Sequence, residues 1–309
     1  MSPHSLHLRK KLEDSVSSYI QLATSPINGR LLKVYKWFIS VLIFKLRLIP
    51  QTKKVVTFWG EDIKMIGVRP FSLYLSGYIG NDDLFITYYI IDILKEGNIF
   101  LDVGANIGFF TMLASKIVGS EGKVFAFEPT PYTYKYLKKN VNNKINVNTY
   151  RIAVHDKCGL QSLTDFGPYN NFYNSLGNKD RLVAQLTDLQ KENHSNLLEV
   201  PTVTIDSFCF ENNILPNLIK LDTEDTEDII LSASMNIIEK SKPDIIFEMF
   251  HLSVLDGRLQ NIINVFSRLD YNCYQFCKDG FKLIEKDSDA SPNYYNYLLS
   301  TRDPNNLPR

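Results

Sequence analysis

The chain has 309 residues, of which 44% are hydrophobic and 22% are charged. This composition is typical of a globular protein with a sizeable core, and it excludes a disordered chain. Lys and Arg together number 34, as do Asp and Glu, so the formal net charge is zero. Without an overall basic field to hold nucleic acid, we expect no nucleic-acid partner.

The cysteines and the first residues bear on location. Four cysteines are too few for a disulfide framework in a chain of this length, and Cys273 and Cys277 have no His or Cys partner at zinc-ligand spacing. Residues 1–18 lack the apolar stretch and cleavage site of a secretory signal. We therefore expect free thiols and a cytoplasmic protein.

Residues 1–52 are predicted to form an N-terminal helical extension. Residues 31–49 are the most apolar part of the chain, but their longest uncharged run, residues 37–44, is far shorter than the ~20 residues that span a bilayer. In a helix, the basic residues of this segment fall on one narrow face. The pattern predicts either a helix packed against the core or a partner subunit, or a helix lying on the inner face of the membrane.

Residues 53–97 are predicted to form a small β-rich segment with a helix. Short β-rich stretches at 53–59, 62–68 and 72–79 are separated by Gly and Pro, and an apolar helical pattern runs from Asp83 to Lys95. From residue 98 to 303 strand and helix patterns alternate, which predicts a doubly wound α/β domain with parallel strands.

The predicted elements of this domain, in chain order, are strands at 98–103, 123–128 and 145–154 with helices at Asn106–Val118 and Pro131–Asn142 between them, loops and short strands at 156–200, a strand at 217–222, a helix at Thr226–Lys240, a strand at 243–250, a helix at Asp256–Leu269, and closing strands at 271–276, 281–286 and 296–301.

The strand at 98–103 runs into a glycine turn and then a helix. Such a turn lies at the carboxyl end of a central strand, where open α/β sheets bind their ligands. Gly104 and Gly108 let the backbone approach a ligand closely, and Asn106 is suited to cap the following helix. The next strand ends in Glu128, whose carboxylate can accept both hydroxyls of a ribose. These features together predict a nucleoside site.

Asp102 distinguishes between two nucleoside cofactors. A dinucleotide site uses G-x-G-x-x-G to seat a pyrophosphate on the helix N-terminus, whereas the spacing here is Gly104-x-x-x-Gly108. A carboxylate at Asp102 would repel a phosphate and attract the α-amino group of a methionine moiety. The turn therefore suits S-adenosylmethionine better than a nicotinamide cofactor.

Six sequence blocks carry a family resemblance: FLDVGANIGFFTMLAS, VFAFEPTPYTYKYLKKN, RIAVHDKCG, VPTVTIDSF, IKLDTEDTEDIILSA and KPDIIFE. In order and spacing they resemble the FkbM-type methyltransferases, over roughly residues 80–300. The resemblance implies the class I, Rossmann-like methyltransferase fold, an α/β fold with a seven-stranded mixed sheet and helices on both faces. It also implies S-adenosylmethionine as cofactor and O-methylation of a hydroxyl.

The resemblance also implies roles for individual residues. It assigns the methionine side of the cofactor to the turn and the ribose to Glu128. It assigns the adenine rim to Ala153 with its neighbours His155 and Asp156. The residues of the turn that it implies are Asp102, Gly104, Ala105, Asn106 and Gly108.

Acidic residues follow the strand at 217–222. The family pattern D-x-E-G-x-E stands here with Asp225 in the place of the glycine, where a positive φ is expected and an aspartate is tolerated better than most residues. Asp222 and Glu224 are candidates to orient the acceptor hydroxyl, to take its proton, or to hold a divalent cation. Glu227 and Asp228 are interpreted as acids that favour a helix N-terminus.

Two further features concern the acceptor. His251 follows the strand at 243–250 and is a candidate general base. The aromatic segment 166–177 is interpreted either as a loop that covers the acceptor or as a loop anchored to the sheet by its aromatic side chains.

The sequence thus predicts three parts, residues 1–52, 53–97 and 98–303, the last being the methyltransferase domain. The predicted activity is O-methylation of a hydroxyl on a glycan, glycolipid or secondary metabolite. Two alternatives remain open at this point: a nicotinamide-dependent oxidoreductase, which the missing third glycine and Asp102 disfavour, and a non-catalytic binding or membrane-associated protein that retains the fold.

Overall fold

The structure, a computed structural model, describes residues 2–24, 31, 52–66, 73, 76–80, 83–165, 196–278 and 280–308. The amphipathic segment 31–49, apart from Leu31, and the aromatic segment 166–177 lie outside these residues. The chain divides into two compact units, residues 1–91 and 92–309. Within the described ranges, no helix combines the length and the apolar character needed to cross a membrane.

The first unit contains a long helix and a β-hairpin. Its elements are α1 (Pro3–Thr24), β1 (Thr52–Val56), β2 (Asp62–Ile66) and the first part of α2 (Asp83–Ile93). Strands β1 and β2 pair antiparallel. In α1, Leu8 and Leu12 are fully buried, and the guanidinium of Arg9 lies 5.1 Å from the ring centroid of Tyr88.

The strand predicted at 72–79 is wrong at the residues that are described. Leu73 and Ser76 are helical, because the Gly77 N–H donates to the Leu73 carbonyl at 3.0 Å and closes a helical turn. Gly77, at φ 72°, ends that turn, and its own carbonyl accepts from the Phe58 N–H.

The second unit is built on an eight-stranded sheet in the order β12-β11-β13-β10-β9-β3-β4-β5. The strands are β3 (Ile99–Val103), β4 (Lys123–Phe127), β5 (Val147–Tyr150), β9 (Leu218–Leu221), β10 (Asp244–Glu248), β11 (Asn272–Cys277), β12 (Gly280–Leu283) and β13 (Asn296–Ser300). The five strands from β10 to β5 are parallel, and β13 runs antiparallel to both β10 and β11. The predicted class I α/β fold with a mixed sheet is confirmed, and β12 extends the predicted seven strands by an eighth at the edge.

The helices of this unit are α3 (Phe109–Val118), α4 (Pro131–Asn140), α5 (Ile205–Asn212), α6 (Glu227–Ser232), α7 (Met235–Ser241), α8 (His251–Leu255) and α9 (Arg258–Phe266). The single helix predicted from Thr226 to Lys240 is wrong, since it is interrupted between α6 and α7. At the break, the Ser234 hydroxyl donates to the Ile230 carbonyl at 2.6 Å. Side-chain bonds of this kind compete with the helical backbone pattern.

A separate three-stranded sheet has the order β6-β8-β7, and its strands fall between β5 and β9 along the chain. Its strands are β6 (Ala153–Val154), β7 (Gly159–Asp165) and β8 (Asn196–Val203). The stretch 145–154, predicted as one strand, is therefore divided between two sheets, with β5 in the main sheet and β6 paired to β8.

Buried aliphatic and aromatic side chains of the parallel strands form the core. Leu101, Ile219 and Phe247 are each at most 1% exposed, which contributes about 1.5–3 kcal/mol per side chain. The continuous apolar runs of these strands are typical of a parallel sheet covered on both faces. Parallel pairing brings the carboxyl ends of β3, β4, β9 and β10 to one edge of the sheet, named here the carboxyl edge.

Candidate functional site

The turn after β3, residues 102–108, is held to the two neighbouring strands by backbone contacts. The Gly104 and Ala105 N–H groups donate to the Phe127 carbonyl at 3.0 and 2.9 Å, and the Asp222 N–H donates to the Val103 carbonyl at 3.0 Å. A Cβ on Gly104 would lie 1.8 Å from the Asp222 carbonyl oxygen. Only glycine fits at this position. The backbone of Gly104 was expected to approach a ligand closely, and in the structure it closely approaches the backbone of Asp222.

The rest of the turn follows a path that L-residues rarely take. Asn106 has φ 50° and Gly108 has φ 93°. Gly108 is the N-cap of α3, so the prediction that Asn106 caps this helix is wrong. The left-handed backbone at both positions delays the helix until Phe109. The Ile107 carbonyl accepts from the Asn140 side-chain amide at 2.8 Å, which ties the turn to the end of α4.

Glu128 follows β4 and is 7% exposed. Its carboxylate accepts from the Asn106 N–H at 3.1 Å and from the Thr130 N–H at 2.9 Å. Burial raises the pKa of Glu128 to about 7, and the bonds to the two backbone N–H groups act in the opposite direction. Each carboxylate oxygen can accept a second hydrogen bond, so Glu128 is held against the turn while its capacity for hydroxyl donors remains.

Asp102 lies beneath the turn rather than on its surface. The residue is 0% exposed, and the Thr111 hydroxyl donates to its Oδ2 at 2.5 Å. Among the described residues its Oδ1 has no hydrogen-bond partner, although the Lys220 ammonium is 3.9 Å away. Burial raises the pKa of Asp102, and the Lys220 charge opposes that shift. In this conformation, Asp102 supports the turn from below and offers no open carboxylate to a ligand.

The residues predicted for the adenine rim follow β5. Ala153 is buried in β6, and the Glu128 N–H donates to the carbonyl of Tyr150, the last residue of β5. Asp156 is paired with His155, whose Nδ1 lies 2.6 Å from its Oδ1. This contact lowers the pKa of Asp156. The carboxylate is 43% exposed and so stays open to a ligand on its other side.

Three carboxylates converge at the ends of β9 and β10. Single oxygen atoms of Asp222, Glu224 and Glu248 all lie within 4.8 Å of one another, and the three residues are partly exposed. The Lys220 ammonium lies 2.8 Å from Asp222 Oδ2. Oxygen donors of this kind can hold a divalent cation or a protonated substrate group. Asp222 and Glu224 were predicted for this site, whereas Glu248 was not.

Asp225 takes the positive φ of the family glycine, at 81°, and Glu224 before it has φ 58°. The Asp225 carboxylate accepts from the Ser253 hydroxyl and from Arg258, both at 2.5 Å. Arg258 also donates to the Asp225 carbonyl and pairs with both oxygens of Asp228. A buried ion pair thus holds a strained backbone in place, as is common where loops carry function.

Glu227 has a structural partner that its position at a helix start did not predict. It is 1% exposed, and it accepts from the Thr223 N–H at 2.7 Å and the Thr223 hydroxyl at 2.9 Å. Burial raises the pKa of Glu227 to about 7, and the bonds from Thr223 oppose this shift. Together with Arg258, Glu227 fixes residues 222–227, named here the acid loop.

His251 is the first residue of α8, three residues beyond the end of β10. It lies on the carboxyl-edge side of the sheet, as predicted from its position after the strand. In the described part of the chain its imidazole makes no hydrogen bond or ion pair. No neighbouring side chain in those ranges therefore orients its imidazole.

Three charged residues of the site, Glu248, Lys220 and Arg258, were not predicted from the sequence. Lys220 is the one charged residue in the buried strand Leu218–Leu221, and that interruption of an apolar run was the available signal. Arg258 contacts the acid loop from 33 residues away, and no local pattern connects it with Asp225.

Comparison with known proteins identifies a family for this region and relatives of the chain. Residues 102–273 match the family described as the methyltransferase FkbM domain. The 31-O-demethyl-FK506 methyltransferase FkbM of Streptomyces tacrolimicus is 28% identical over 162 residues, covering 45% of this chain and 60% of that protein. The protein-L-isoaspartate O-methyltransferase of Methanococcus maripaludis is 31% identical over 98 residues, covering 31% of this chain and 45% of that protein.

Among solved structures, the methyltransferase FkbM of Methylobacillus flagellatus KT aligns with a TM-score of 0.43 and 14% identity, over 71% of this chain and 50% of that chain. The chain thus spans about half the length of these relatives.

Gly104→Ala and Gly97→Ala form a matched pair that tests the close approach. Both glycines have similar positive φ, 76° and 81°, so alanine strains the backbone by about 1–2 kcal/mol at each. A Cβ at Gly97 meets nothing within 4 Å. We expect Gly97→Ala to lower the free energy of unfolding by that strain alone, and Gly104→Ala to lower it by more than about 4 kcal/mol. Urea denaturation followed by circular dichroism measures both, and equal losses would contradict the clash with Asp222.

Asp225→Gly restores the family residue and is expected to destabilise the protein. Glycine relieves about 1–2 kcal/mol of backbone strain, but it removes the carboxylate that accepts from Ser253 and Arg258, and hydrogen bonds to a charged group contribute about 1.5–3 kcal/mol each. Because Arg258 keeps Asp228 as a partner, we expect a net loss of about 2 kcal/mol, with Asp225→Asn separating the charge from the backbone effect. Chemical denaturation measures these changes. A gain in stability for Asp225→Gly would show that the ion pair contributes less than the strain.

Proposed function

We propose a function from the fact that the chain belongs to the FkbM methyltransferase family. In this proposal the chain transfers the methyl group of S-adenosylmethionine to an oxygen of a small-molecule or glycan acceptor. The observation that carries the proposal is the convergence of the glycine turn, Glu128 and the acid loop at one edge of the sheet. The oxygen specificity, the acceptor and the activity of the whole protein are part of the proposal.

The residues around the turn fit this cofactor. Gly104 is partly exposed at the start of the turn, and Glu128 beside it retains acceptor capacity for the two ribose hydroxyls. Ala153 and Asp156 are the residues proposed for the adenine. The turn lacks the third glycine of a pyrophosphate-binding turn, which argues against the nicotinamide alternative.

S-adenosylmethionine, when bound, supplies an activated methyl group and leaves as S-adenosylhomocysteine. The protein has to hold the acceptor oxygen in line with that group, exclude water and accept the hydroxyl proton. We propose Glu224 and His251 for the proton, with Asp222 beside them at the carboxyl edge. The acid loop suits this work because Glu227 and Arg258 hold it rigid.

Oxygen is the favoured acceptor atom for two reasons. Carboxylates grouped at the acceptor side can accept a hydrogen bond from a hydroxyl and then its proton. The two curated relatives also carry names that refer to a methylated oxygen. A zero formal charge argues against an RNA acceptor. We therefore propose a hydroxyl on a glycan, glycolipid or secondary metabolite.

Whether the activity requires a divalent cation can be tested in a single assay. Asp222, Glu224 and Glu248 offer oxygen ligands, but Lys220 already neutralises one of them, and we assign no step to a cation. Methyl transfer that is lost in EDTA and restored by Mg²⁺ would add the cation to the cofactor set.

The domain division and the location are also proposals. We propose residues 98–303 as the methyltransferase domain, residues 1–52 and 53–97 as the preceding parts, and a cytoplasmic protein in which residues 31–49 pack against the core or a partner subunit, with contact to the inner face of the membrane as the alternative. Co-sedimentation with anionic vesicles, compared between the full chain and a variant with glutamates in place of the basic residues of 31–49, tests the contact.

S-adenosylhomocysteine is expected to raise the melting temperature of the protein. At 100 times Kd the ligand stabilises by about 2.7 kcal/mol, which corresponds to roughly 5–10 °C for a domain of this size. We expect Glu128→Ala to abolish the shift. Asp102→Ala is expected to do the same by removing the support beneath the turn. Differential scanning fluorimetry measures the shift, and NADH serves as the control ligand.

Each outcome of this titration bears on one alternative. A shift with NADH alone would favour the oxidoreductase. The absence of any shift, together with vesicle binding, would favour the non-catalytic membrane-associated protein.

Cofactor affinity is expected to fall as the pH drops below about 7. The pKa of Glu128 is about 7 without ligand, and the ionised form is the one that accepts the ribose hydroxyls. Binding below this pH must first remove a proton, so affinity decreases up to about tenfold per pH unit. Isothermal titration with S-adenosylhomocysteine measures this, and Glu128→Gln should bind more weakly with no dependence on pH. An equally steep dependence in Glu128→Gln would exclude Glu128 as its source.

A further inference from the structure

Lys220 is a buried cation between two carboxylates. It is 2% exposed, and its ammonium lies 2.8 Å from Asp222 Oδ2 and 3.9 Å from Asp102 Oδ1. The same ammonium lies 5.2 Å from the ring centroid of Phe110. Burying a charge costs free energy unless the charge is paired. Lys220 is therefore stable in this strand only because carboxyl groups lie beside its ammonium.

The sheet dictates the grouping. Lys220 and Asp102 are direct partners in the register of β9 and β3, so their side chains leave the sheet on the same face. Asp222 is two residues beyond Lys220 and continues on that face. Thr111 on α3 donates to Asp102 from above. The three charged side chains therefore form a line from the interior to the carboxyl edge, named here the charge line.

In the charge line, one ammonium faces two carboxyl groups. The side chain of Asp102 is 1% exposed, whereas that of Asp222 is 35% exposed. Of the two, the carboxylate of Asp222 is therefore the one that a ligand can reach. The backbone of this residue packs against Gly104, so the open carboxylate adjoins the turn at which we propose that the cofactor binds.

We propose that Lys220 is a positioning residue of the cofactor site: its ammonium holds Asp222 beside the turn as the counter-ion of the positively charged sulfonium of S-adenosylmethionine. Asp102, which the sequence suggested for contact with the cofactor, is the buried charge that keeps Lys220 in place. This inference rests on the proposed function and assigns Asp222 to the cofactor rather than to the acceptor hydroxyl.

The test compares two ligands that differ by the methyl group and its charge. S-adenosylmethionine carries the sulfonium, whereas S-adenosylhomocysteine has a neutral thioether. The measured quantity is the ratio of the two dissociation constants, from isothermal titration of the full chain. Asp222→Asn is expected to reduce the preference for S-adenosylmethionine roughly tenfold, because a charge–charge attraction is lost for that ligand alone.

The role of Lys220 is tested in a variant that removes both buried charges. Lys220→Met alone would leave Asp102 buried without a cation, so it is combined with Asp102→Asn. The double variant keeps Asp222 but no longer holds it, and we expect its preference to fall at least about threefold. Adding Asp222→Asn to this pair should give the ratio of Asp222→Asn alone, because Lys220 acts through Asp222.

Two controls keep the test decisive. Asp156→Asn changes a carboxylate at the proposed adenine end, so it should alter both affinities by the same factor and leave the ratio unchanged. Lys220→Arg keeps the positive charge and should retain the ratio of the parent protein within about twofold. It also supplies the measurement if the double variant does not fold.

The outcomes separate the inference from the proposed function. If the parent protein binds neither ligand, the proposed function fails. If it binds both and Asp222→Asn leaves the ratio unchanged, the counter-ion assignment is overturned while the proposed function stands. A double variant with the parent ratio, or Lys220→Arg with the ratio of Asp222→Asn, would overturn the role of Lys220.

Discussion

The site depends on one contact between backbones, that of Gly104 with Asp222. A Cβ at Gly104 would lie 1.8 Å from the Asp222 carbonyl oxygen, and the Asp222 N–H donates to the Val103 carbonyl. The turn after β3 and the start of the acid loop are therefore one unit that cannot separate without breaking the central strand pair. Because one half of this unit faces the proposed cofactor and the other the proposed acceptor, the distance between the two is fixed by the sheet itself.

Charged groups are buried around this contact, and each has a physical reason to be tolerated. Glu128 and Glu227 are held by backbone N–H groups, which satisfy a carboxylate without a counter-ion. Lys220 on β9 lies between the carboxyl groups of Asp102 and Asp222, so one ammonium serves both. Such groups stabilise the fold less than apolar side chains would, so their concentration at the carboxyl edge is better explained by function than by stability.

The sequence predicted the parts of the site that depend on local pattern. The strand–turn–helix at residues 98–118 and Glu128 at the end of its strand follow from short motifs, because hydrophobic runs and glycine positions encode them directly. The positive φ at Asp225 was expected from the resemblance to the family, which has a glycine at this position. Contacts between distant residues were not predictable. The Arg258 guanidinium donates to the Asp225 carboxylate from 33 positions away. Lys220 lies opposite Asp102 because of the register between β9 and β3, which no local pattern reveals. The start of α3 was predicted too early because nothing local revealed the left-handed Asn106.

A departure from the family pattern lies in the acid loop. The turn that faces the proposed cofactor keeps its glycines, whereas the acid loop has Asp225 in place of the family glycine, with Arg258 and Ser253 as partners of its carboxylate. A glycine at that position gives a loop its conformation through freedom of the backbone, whereas an aspartate at φ 81° keeps it only because an ion pair compensates for the strain. The exchange makes the loop dependent on α8 and α9, the elements that follow β10 and carry His251 and Arg258. The conformation of the acid loop on the proposed acceptor side is therefore coupled to those helices, whereas the turn and Glu128 on the proposed cofactor side are held by hydrogen bonds of their backbone N–H groups to the neighbouring strands and to one another.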